Sequence, residues 1–164
     1  MLRKVICGFQ KGSDIAGARA GKSAGLETGG AMVHGFVCVD GRHPEYAALY
    51  GAYEMPPARN LSEAYGLRTA ENAKHGDYTL IIGRDLGSRG TQRTIAACTR
   101  FGKPFTPFLW QDYSSQEIER LASQLANRLI RDRYQVVNIA GNRDAPEAPI
   151  EAFLTKAFLL AKKA

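Results

Sequence analysis

The sequence predicts an α/β fold, a three-layer sandwich in which a mostly parallel sheet carries helices on both faces. Short runs rich in β-branched residues alternate with stretches of helical periodicity, which is the pattern of parallel strands connected through helices. The chain has 164 residues, 45% of them hydrophobic, and is long enough to bury one core. We therefore expect a single ligand-binding domain over residues 1–164.

The first two predicted elements are a strand and a helix. The strand spans residues 5–8, where Val5 and Ile6 favour an extended backbone. The helix spans residues 15–24 and follows Ser13 and Asp14, either of which can accept a hydrogen bond from its first N–H groups. A strand followed directly by a helix begins a parallel-sheet unit.

Little regular structure is predicted for residues 29–59. Gly29-Gly30 should break the chain before a short strand or turn at residues 31–33. Residues 35–59 contain glycine, proline and tyrosine without a sustained period. We expect a long irregular excursion there, with one strand at residues 36–39, and excursions of this length are often functional.

The chain from residue 61 onward alternates between clear helical and strand patterns. The predicted helices cover residues 61–75, 91–101, 115–133 and 150–162, and the predicted strands cover residues 78–82, 105–109 and 136–140. The last helix carries an apolar face that can serve the core or a dimer seam, formed by Phe153, Leu154, Ala157, Phe158 and Ala161.

Composition argues against several classes of protein. No apolar run approaches the roughly 18 residues needed to cross a bilayer, so we expect a cytoplasmic protein that does not associate with membranes. The three cysteines are odd in number and widely spaced, which favours reduced thiols over a disulfide framework. The histidines and cysteines lack the spacing of zinc ligands, so we expect no metal site built by the protein.

The formal net charge of +6 favours an anionic partner. Basic residues are spread along the whole chain, whereas a surface that tracks a phosphate backbone is usually clustered, and this argues against nucleic acid. A small phosphorylated ligand would draw on the same charge.

Three loops that follow predicted strands carry most of the candidate binding residues. In parallel sheets, ligands bind beyond the carboxyl ends of the strands, where helix N-termini offer unpaired N–H groups. The candidates are Gly8, Gln10, Gly12 and Asp14 in the first loop, Ser88, Arg89, Gly90 and Thr91 in the second, and Asn138, Gly141 and Arg143 in the third.

The expected roles of these residues follow from their chemistry. Gly12 and Gly90 would give backbone N–H donors to a phosphate, Thr91 would give a hydroxyl, and Arg143 would form a bidentate clamp. Taken alone, the first loop is also typical of a tight turn in which Asp14 caps the helix, and the second of an ordinary loop rich in glycine and serine.

Two further candidates lie on the helix predicted at residues 61–75. Arg68 and Asn72 are four residues apart and therefore share one face of that helix. They are candidates for contacts to a ribose or a base, although such pairs usually lie on a solvated surface.

Five segments match, in order, the motifs of one family. The motifs are G-G-Q-T-G-x-D at residues 8–14, T-G-G at residues 28–30, R-T-x-x-N-x-x-D-S-D at residues 68–77, G-G-T at residues 89–91 and N-V-A-G-P-R at residues 138–143. On these motifs the sequence resembles the circularly permuted YpsA-like family, whose members are described as molybdenum-cofactor carriers. It departs from the motifs at Phe9, Lys11, His75-Gly76 and Arg89.

The resemblance implies a Rossmann-like fold, a homo-oligomer, and a nucleotide or molybdenum cofactor as the ligand. The same superfamily contains the LOG phosphoribohydrolases, with the motif P-G-G-x-G-T-x-x-E, and the DNA-processing protein DprA. Aligning residues 87–91 on the hydrolase motif places Thr94 at the position of the glutamate. A threonine cannot supply carboxylate chemistry, so the resemblance favours binding without cleavage of an N-glycosidic bond.

Two other functions stay open at this point. A nucleotide-processing enzyme would need a general acid or base, and the nearby carboxylates are Asp14, Glu71, Asp77 and Asp85. A DprA-like nucleic-acid binder would need a basic surface with aromatic platforms. The residues that could provide one are Tyr46, Tyr50, Tyr53 and Arg59.

Overall fold

A computed structural model describes residues 1–163 of the chain. The strands are β1 (Lys4–Cys7), β2 (Glu27–Met32), β3 (Val37–Cys38), β4 (Gly41–Arg42), β5 (Ala52–Glu54), β6 (Tyr78–Gly83), β7 (Phe105–Leu109) and β8 (Val136–Gly141). The helices are α1 (Ser13–Ser23), α2 (Glu45–Tyr50), α3 (Leu61–His75), α4 (Arg89–Arg100), α5 (Ser115–Arg131) and α6 (Glu147–Lys163).

Six of these strands form one parallel sheet in the order β5-β2-β1-β8-β6-β7. This architecture confirms the predicted α/β, Rossmann-like fold. The last strand, β8, lies in the middle of the sheet between β1 and β6. The loops that follow β1, β6 and β8 therefore emerge side by side, although they are far apart in the sequence.

Side chains alternate between the two faces of the sheet along each strand. The two faces carry different residues and are packed differently. One face contributes Leu80, Ile82, Val137 and Ile139 to a large apolar core that also includes residues of α1, α5 and α6. The other face presents the polar side chains of Thr79 and Asn138. The apolar cluster on the α3 and α4 side is small, consisting of Ala73, Ala97 and Cys98 with Ala70 and Phe105 at its edge.

The apolar face of α6 belongs to the large core. Phe153, Leu154, Ala157, Phe158 and Ala161 are each no more than 1% exposed. Of the two roles predicted for this face, the structure shows the core, and the face is not open to a second copy of the chain.

The prediction that Gly29-Gly30 breaks the chain is wrong, because both residues lie inside β2. Gly30 has a φ of 130°, and a Cβ atom there would lie 2.1 Å from the carbonyl oxygen of Cys7. The glycine thus permits a close approach of β2 to β1, and it does not end the strand.

The prediction of an irregular excursion over residues 35–59 is also wrong, although the strand predicted within it at residues 36–39 is present as β3. The segment forms the antiparallel β3–β4 hairpin, helix α2 and strand β5, which pairs with β2. Tyr46 and Tyr50 of α2 pack against Phe9, with ring centroids 5.8 Å and 5.9 Å from the Phe9 ring. Strands of two or three residues are too short to show a period in the sequence, and tertiary packing defines them.

The remaining elements lie close to their predicted bounds. The main differences are the start of α6, three residues earlier than predicted, the starts of α1 and α4, two residues earlier, and the end of α5, two residues earlier. Among residues 1–163, no helix has the length and apolar character that crossing a membrane requires.

Candidate functional site

A cleft of about 640 Å³ opens where β1, β6 and β8 end, on the face of the sheet that carries α3 and α4. It forms on this face because the apolar cluster there is small and polar side chains take its place. The cleft brings together eleven of the predicted binding residues, namely Gly8, Gln10, Asp14, Arg68, Asn72, Ser88, Arg89, Gly90, Asn138, Gly141 and Arg143.

Two predicted residues, Gly12 and Thr91, do not line the cleft. The N–H of Gly12 donates to Glu147 Oε1 at 3.0 Å, so it is not available to a phosphate. Thr91 is 1% exposed, and its hydroxyl oxygen accepts hydrogen bonds from the side chains of Ser88 and Asn142. Both residues are therefore bonded to other groups of the protein.

Arg68 forms one wall of the cleft and is held by the first loop. Its Nη1 donates to the carbonyl oxygen of Gly8 at 2.8 Å and lies 3.4 Å from Asp14 Oδ2. A Cβ atom on Gly8 would lie 1.8 Å from the same nitrogen. Glycine at position 8 is therefore what admits the guanidinium.

Asp14 lies beneath this wall, where its carboxylate accepts the N–H of Gly8 at 3.1 Å. Burial disfavours the charged form and raises the pKa of Asp14 to about 6, although the nearby Arg68 guanidinium acts in the opposite direction. The carboxyl group is thus close to its titration point near neutral pH.

Asn72 also lines the cleft, but its amide is committed to strand β2. Its Oδ1 accepts the N–H of Ala31 at 2.8 Å, and its Nδ2 donates to the carbonyl oxygen of Ala31 at 3.1 Å. The Asn72 amide therefore bonds the backbone N–H and C=O of Ala31 as a neighbouring strand would. These two hydrogen bonds fix α3 against the sheet.

Three residues of the cleft carry buried side-chain atoms without a hydrogen-bond partner among residues 1–163. The atoms are Gln10 Nε2, Arg68 Nε and Asn138 Oδ1. The three residues are 5%, 9% and 2% exposed. Buried polar groups are almost always paired, so two donors and one acceptor gathered in one cleft are typical of a ligand site.

The N-terminus of α4 also faces the cleft. Ser88 caps the helix by accepting the N–H of Thr91 at 3.3 Å. The N–H groups of Arg89 and Gly90 have no acceptor among the described residues, and a Cβ atom on Gly90 would meet open space. Together with the positive end of the helix dipole, these N–H groups suit an anion.

The N-terminus of α1, by contrast, is occupied by the protein itself. The N–H of Gly12 donates to Glu147, and the N–H of Ser13 donates to the carbonyl oxygen of Asn142 at 3.3 Å. Of the two helix N-termini that the sequence suggested for a phosphate, α4 offers free donors.

Several residues of the cleft were not predicted from the sequence, among them Tyr65, Arg93 and Asn142. Two guanidinium groups lie over the Tyr65 ring, that of Arg68 at 5.6 Å and that of Arg143 at 5.4 Å from the ring centroid. Helical spacing could have found two of them, because Arg93 lies four residues after Arg89, and Tyr65 lies three residues before Arg68.

The carboxylates considered for catalysis are divided between the cleft and other places. Asp14 and Asp85 line the cleft together with Asp144. Asp77 accepts the N–H groups of Gln135 and Val136 at the start of β8, at the amino-terminal ends of the strands. Glu71 accepts a hydrogen bond from the Tyr53 hydroxyl at 3.3 Å.

Three of the residues considered for nucleic-acid binding contact other side chains of the chain. Tyr46 and Tyr50 pack on Phe9, and the guanidinium of Arg59 pairs with Glu63 at 2.8 Å. Across residues 1–163, no group of three or more His, Cys, Asp or Glu side chains is arranged to hold a metal ion.

Comparison with known proteins identifies one family and one similar structure. A sequence model of the circularly permutated YpsA SLOG family matches residues 5–161. The crystal structure of a protein from Syntrophus aciditrophicus SB, provisionally named a molybdenum carrier protein and determined at 1.45 Å resolution, is similar with a TM-score of 0.76. The two sequences are 28% identical, and the match covers 98% of this chain and 94% of that chain. No curated protein matches the sequence.

Proposed function

This chain belongs to the circularly permutated YpsA SLOG family, and we propose that its cleft binds a phosphorylated, nucleotide-like small molecule. One observation carries the proposal. The cleft combines free N–H groups at a helix N-terminus with buried side-chain atoms that have no partner among the described residues.

The phosphate of the ligand binds at the N-terminus of α4. The N–H groups of Arg89 and Gly90 donate to its oxygens, and the side chains of Arg89 and Arg93 supply positive charge. Arg93 is already oriented across the cleft, because its Nη2 donates to Ser62 Oγ at the start of α3, at 2.7 Å.

The rest of the ligand lies against the polar side chains of Gln10, Arg68 and Asn138. A phosphate or molybdate ion without a hydroxyl group only accepts hydrogen bonds, so it would leave the Asn138 oxygen unpaired. A nucleobase or a pterin both donates and accepts, and its hydrogen-bonding groups therefore match those of all three side chains. This complementarity favours an organic phosphate over a bare oxyanion.

The molybdenum cofactor, a pterin that carries a phosphate, fits this division of the cleft. Arg89, Gly90 and Arg93 would hold its phosphate, and Gln10, Arg68 and Asn138 would hold its pterin. When bound, the cofactor supplies its own sulfur ligands to molybdenum, so the protein needs no metal-binding side chains. The name of the similar Syntrophus protein supports this choice of ligand.

Carriage of the ligand suits the site better than hydrolysis. Thr94 lines the cleft at the position of the hydrolase glutamate, and its hydroxyl donates to the carbonyl oxygen of Gly90 at 3.1 Å. It therefore stabilises the first turn of α4 and offers no carboxylate to a glycosidic bond.

The proposal is tested by titrating the protein with AMP, GMP and the matching nucleosides and measuring affinity by calorimetry. Each monophosphate should bind more tightly than its nucleoside, because only the monophosphate occupies the α4 N-terminus. Arg89→Ala and Arg93→Ala should each lower the affinity for the monophosphate on the order of tenfold or more, since each removes a charge-assisted hydrogen bond.

Arg100→Ala is the matched control, because Arg100 is an exposed arginine at the other end of the same helix. It should leave the affinity unchanged. Failure of both monophosphates to bind, or an equal loss with Arg100→Ala, would contradict the proposal.

A further inference from the structure

We infer that the side-chain amide of Asn142 positions the N-terminus of α4 and thereby gives the cleft its preference for phosphorylated ligands. The inference rests on the proposed function, since it concerns the phosphate end of the same cleft. It assigns Asn142 as a positioning residue that acts through its hydrogen bonds to the cap of α4.

The amide of Asn142 is bonded at both ends to the segment that begins α4. Its Oδ1 accepts the N–H of Asp85 at 2.8 Å. Its Nδ2 donates to Ser88 Oγ at 3.0 Å and to Thr91 Oγ1 at 3.3 Å. One side chain thus holds Asp85, two residues after β6, together with the cap of α4 and the first turn of the helix.

The backbone of Asn142 is anchored separately. Its N–H donates to the carbonyl oxygen of Ile82 at 3.1 Å, and its own carbonyl oxygen accepts the N–H of Ser13. Truncation of the side chain therefore leaves the loop after β8 in place and removes only the link to α4.

Gly83 makes room for this amide. A Cβ atom on Gly83 would lie 2.1 Å from Asn142 Oδ1 and 3.0 Å from Nδ2. The φ of Gly83 is not in the left-handed region, so the backbone itself accepts alanine. A methyl group at position 83 should therefore displace the amide without changing residue 142.

The hydrogen bonds of the Asn142 amide should affect the binding of the phosphate end of the ligand only. Arg89 and Gly90, whose N–H groups face the phosphate, lie between Ser88 and Thr91, the two contacts of the amide on α4. Without the amide these N–H groups lose their fixed direction, because helix ends fray when their caps are weakened. Gln10, Arg68 and Asn138, which face the heterocycle, form no side-chain hydrogen bond with Asn142.

The experiment is a double-mutant cycle on Asn142→Ala and Gly83→Ala, with AMP and adenosine, and GMP and guanosine, as the probes. Each single variant should weaken monophosphate binding about tenfold and change nucleoside binding by less than about twofold. The double variant should bind the monophosphate no more weakly than Asn142→Ala, because the methyl group at position 83 then has no amide to displace. Fluorescence of Trp110, which is buried in the core, shows that each variant is folded.

Equal losses for monophosphate and nucleoside, or a double variant whose loss is the product of the two single losses, would overturn the inference. An unchanged affinity of Asn142→Ala for the monophosphate would overturn the inference and leave the proposed function standing. Absence of monophosphate binding by the wild type would overturn the proposed function, and the inference with it.

Discussion

The carboxyl group of Asp14 makes the stability of the protein depend on pH. Its pKa in the folded protein, about 6, lies above its ordinary value of 3.8 because of burial. The folded state therefore binds a proton more tightly than the unfolded chain does. The stability contributed by protonation is complete below about pH 4 and is lost as the pH rises to about 6, amounting to about 3 kcal/mol at 1.36 kcal/mol for each pKa unit.

Asp14→Asn isolates this effect, because the asparagine oxygen can still accept the N–H of Gly8 while the titration is removed. The free energy of unfolding of the wild type minus that of the variant should fall between pH 4 and pH 6 and stay level above pH 7. Urea unfolding at each pH measures the difference. A difference that rises with pH would show that Arg68 controls the pKa of Asp14 and that burial does not.

Single residues show how far the site could be predicted from the sequence. The position of Gly8, Ser88 and Arg143 in loops that follow strands was sufficient to predict that they share one cleft. The reason is that the carboxyl ends of parallel strands lie on the same side of the sheet. The partners of Gly12 and Thr91 could not be predicted. Gly12 is bonded to a carboxylate 135 residues away, and Thr91 to an amide 51 residues away, and only the folded chain brings these groups together.

Among the elements, length and periodicity separate what the sequence predicted from what it did not. The bounds of α3 and β7 match the prediction, since a long helical period and an aromatic run between turns are local signals. Strand β2 contains two adjacent glycines, which locally favour a turn, and its pairing with β1 and β5 overrides that preference.

The role of glycine in β2 can be tested with two alanine substitutions. Gly30→Ala should destabilise the protein by about 3 kcal/mol or more, because the new methyl group meets the Cys7 backbone and the residue has a positive φ. Gly66→Ala is the matched control. It lies inside α3 with open space around it, and it should stabilise the protein by about 0.5–1 kcal/mol.

Urea unfolding followed by Trp110 fluorescence measures both changes. Equal effects of the two substitutions would show that β2 does not approach β1 as closely as the structure places it.

At the scale of the whole molecule, the cleft needs both ends of the chain. Strand β8 lies between β1 and β6, so the site combines residues near the N-terminus, the middle and the C-terminal third. Assembly into a homo-oligomer stays a prediction. It would have to use a surface other than the buried apolar face of α6.

The most direct test of phosphate binding at the N-terminus of α4 is an NMR titration of the ¹⁵N-labelled protein with AMP and GMP. The free N–H groups of Arg89 and Gly90 should show the largest shifts, and the amide of Gly12, which is bonded to Glu147, should change little. Adenosine and guanosine should shift the amides of Arg89 and Gly90 much less than the monophosphates do. Shifts centred on Gly12, or equal shifts with nucleoside and monophosphate, would contradict the account.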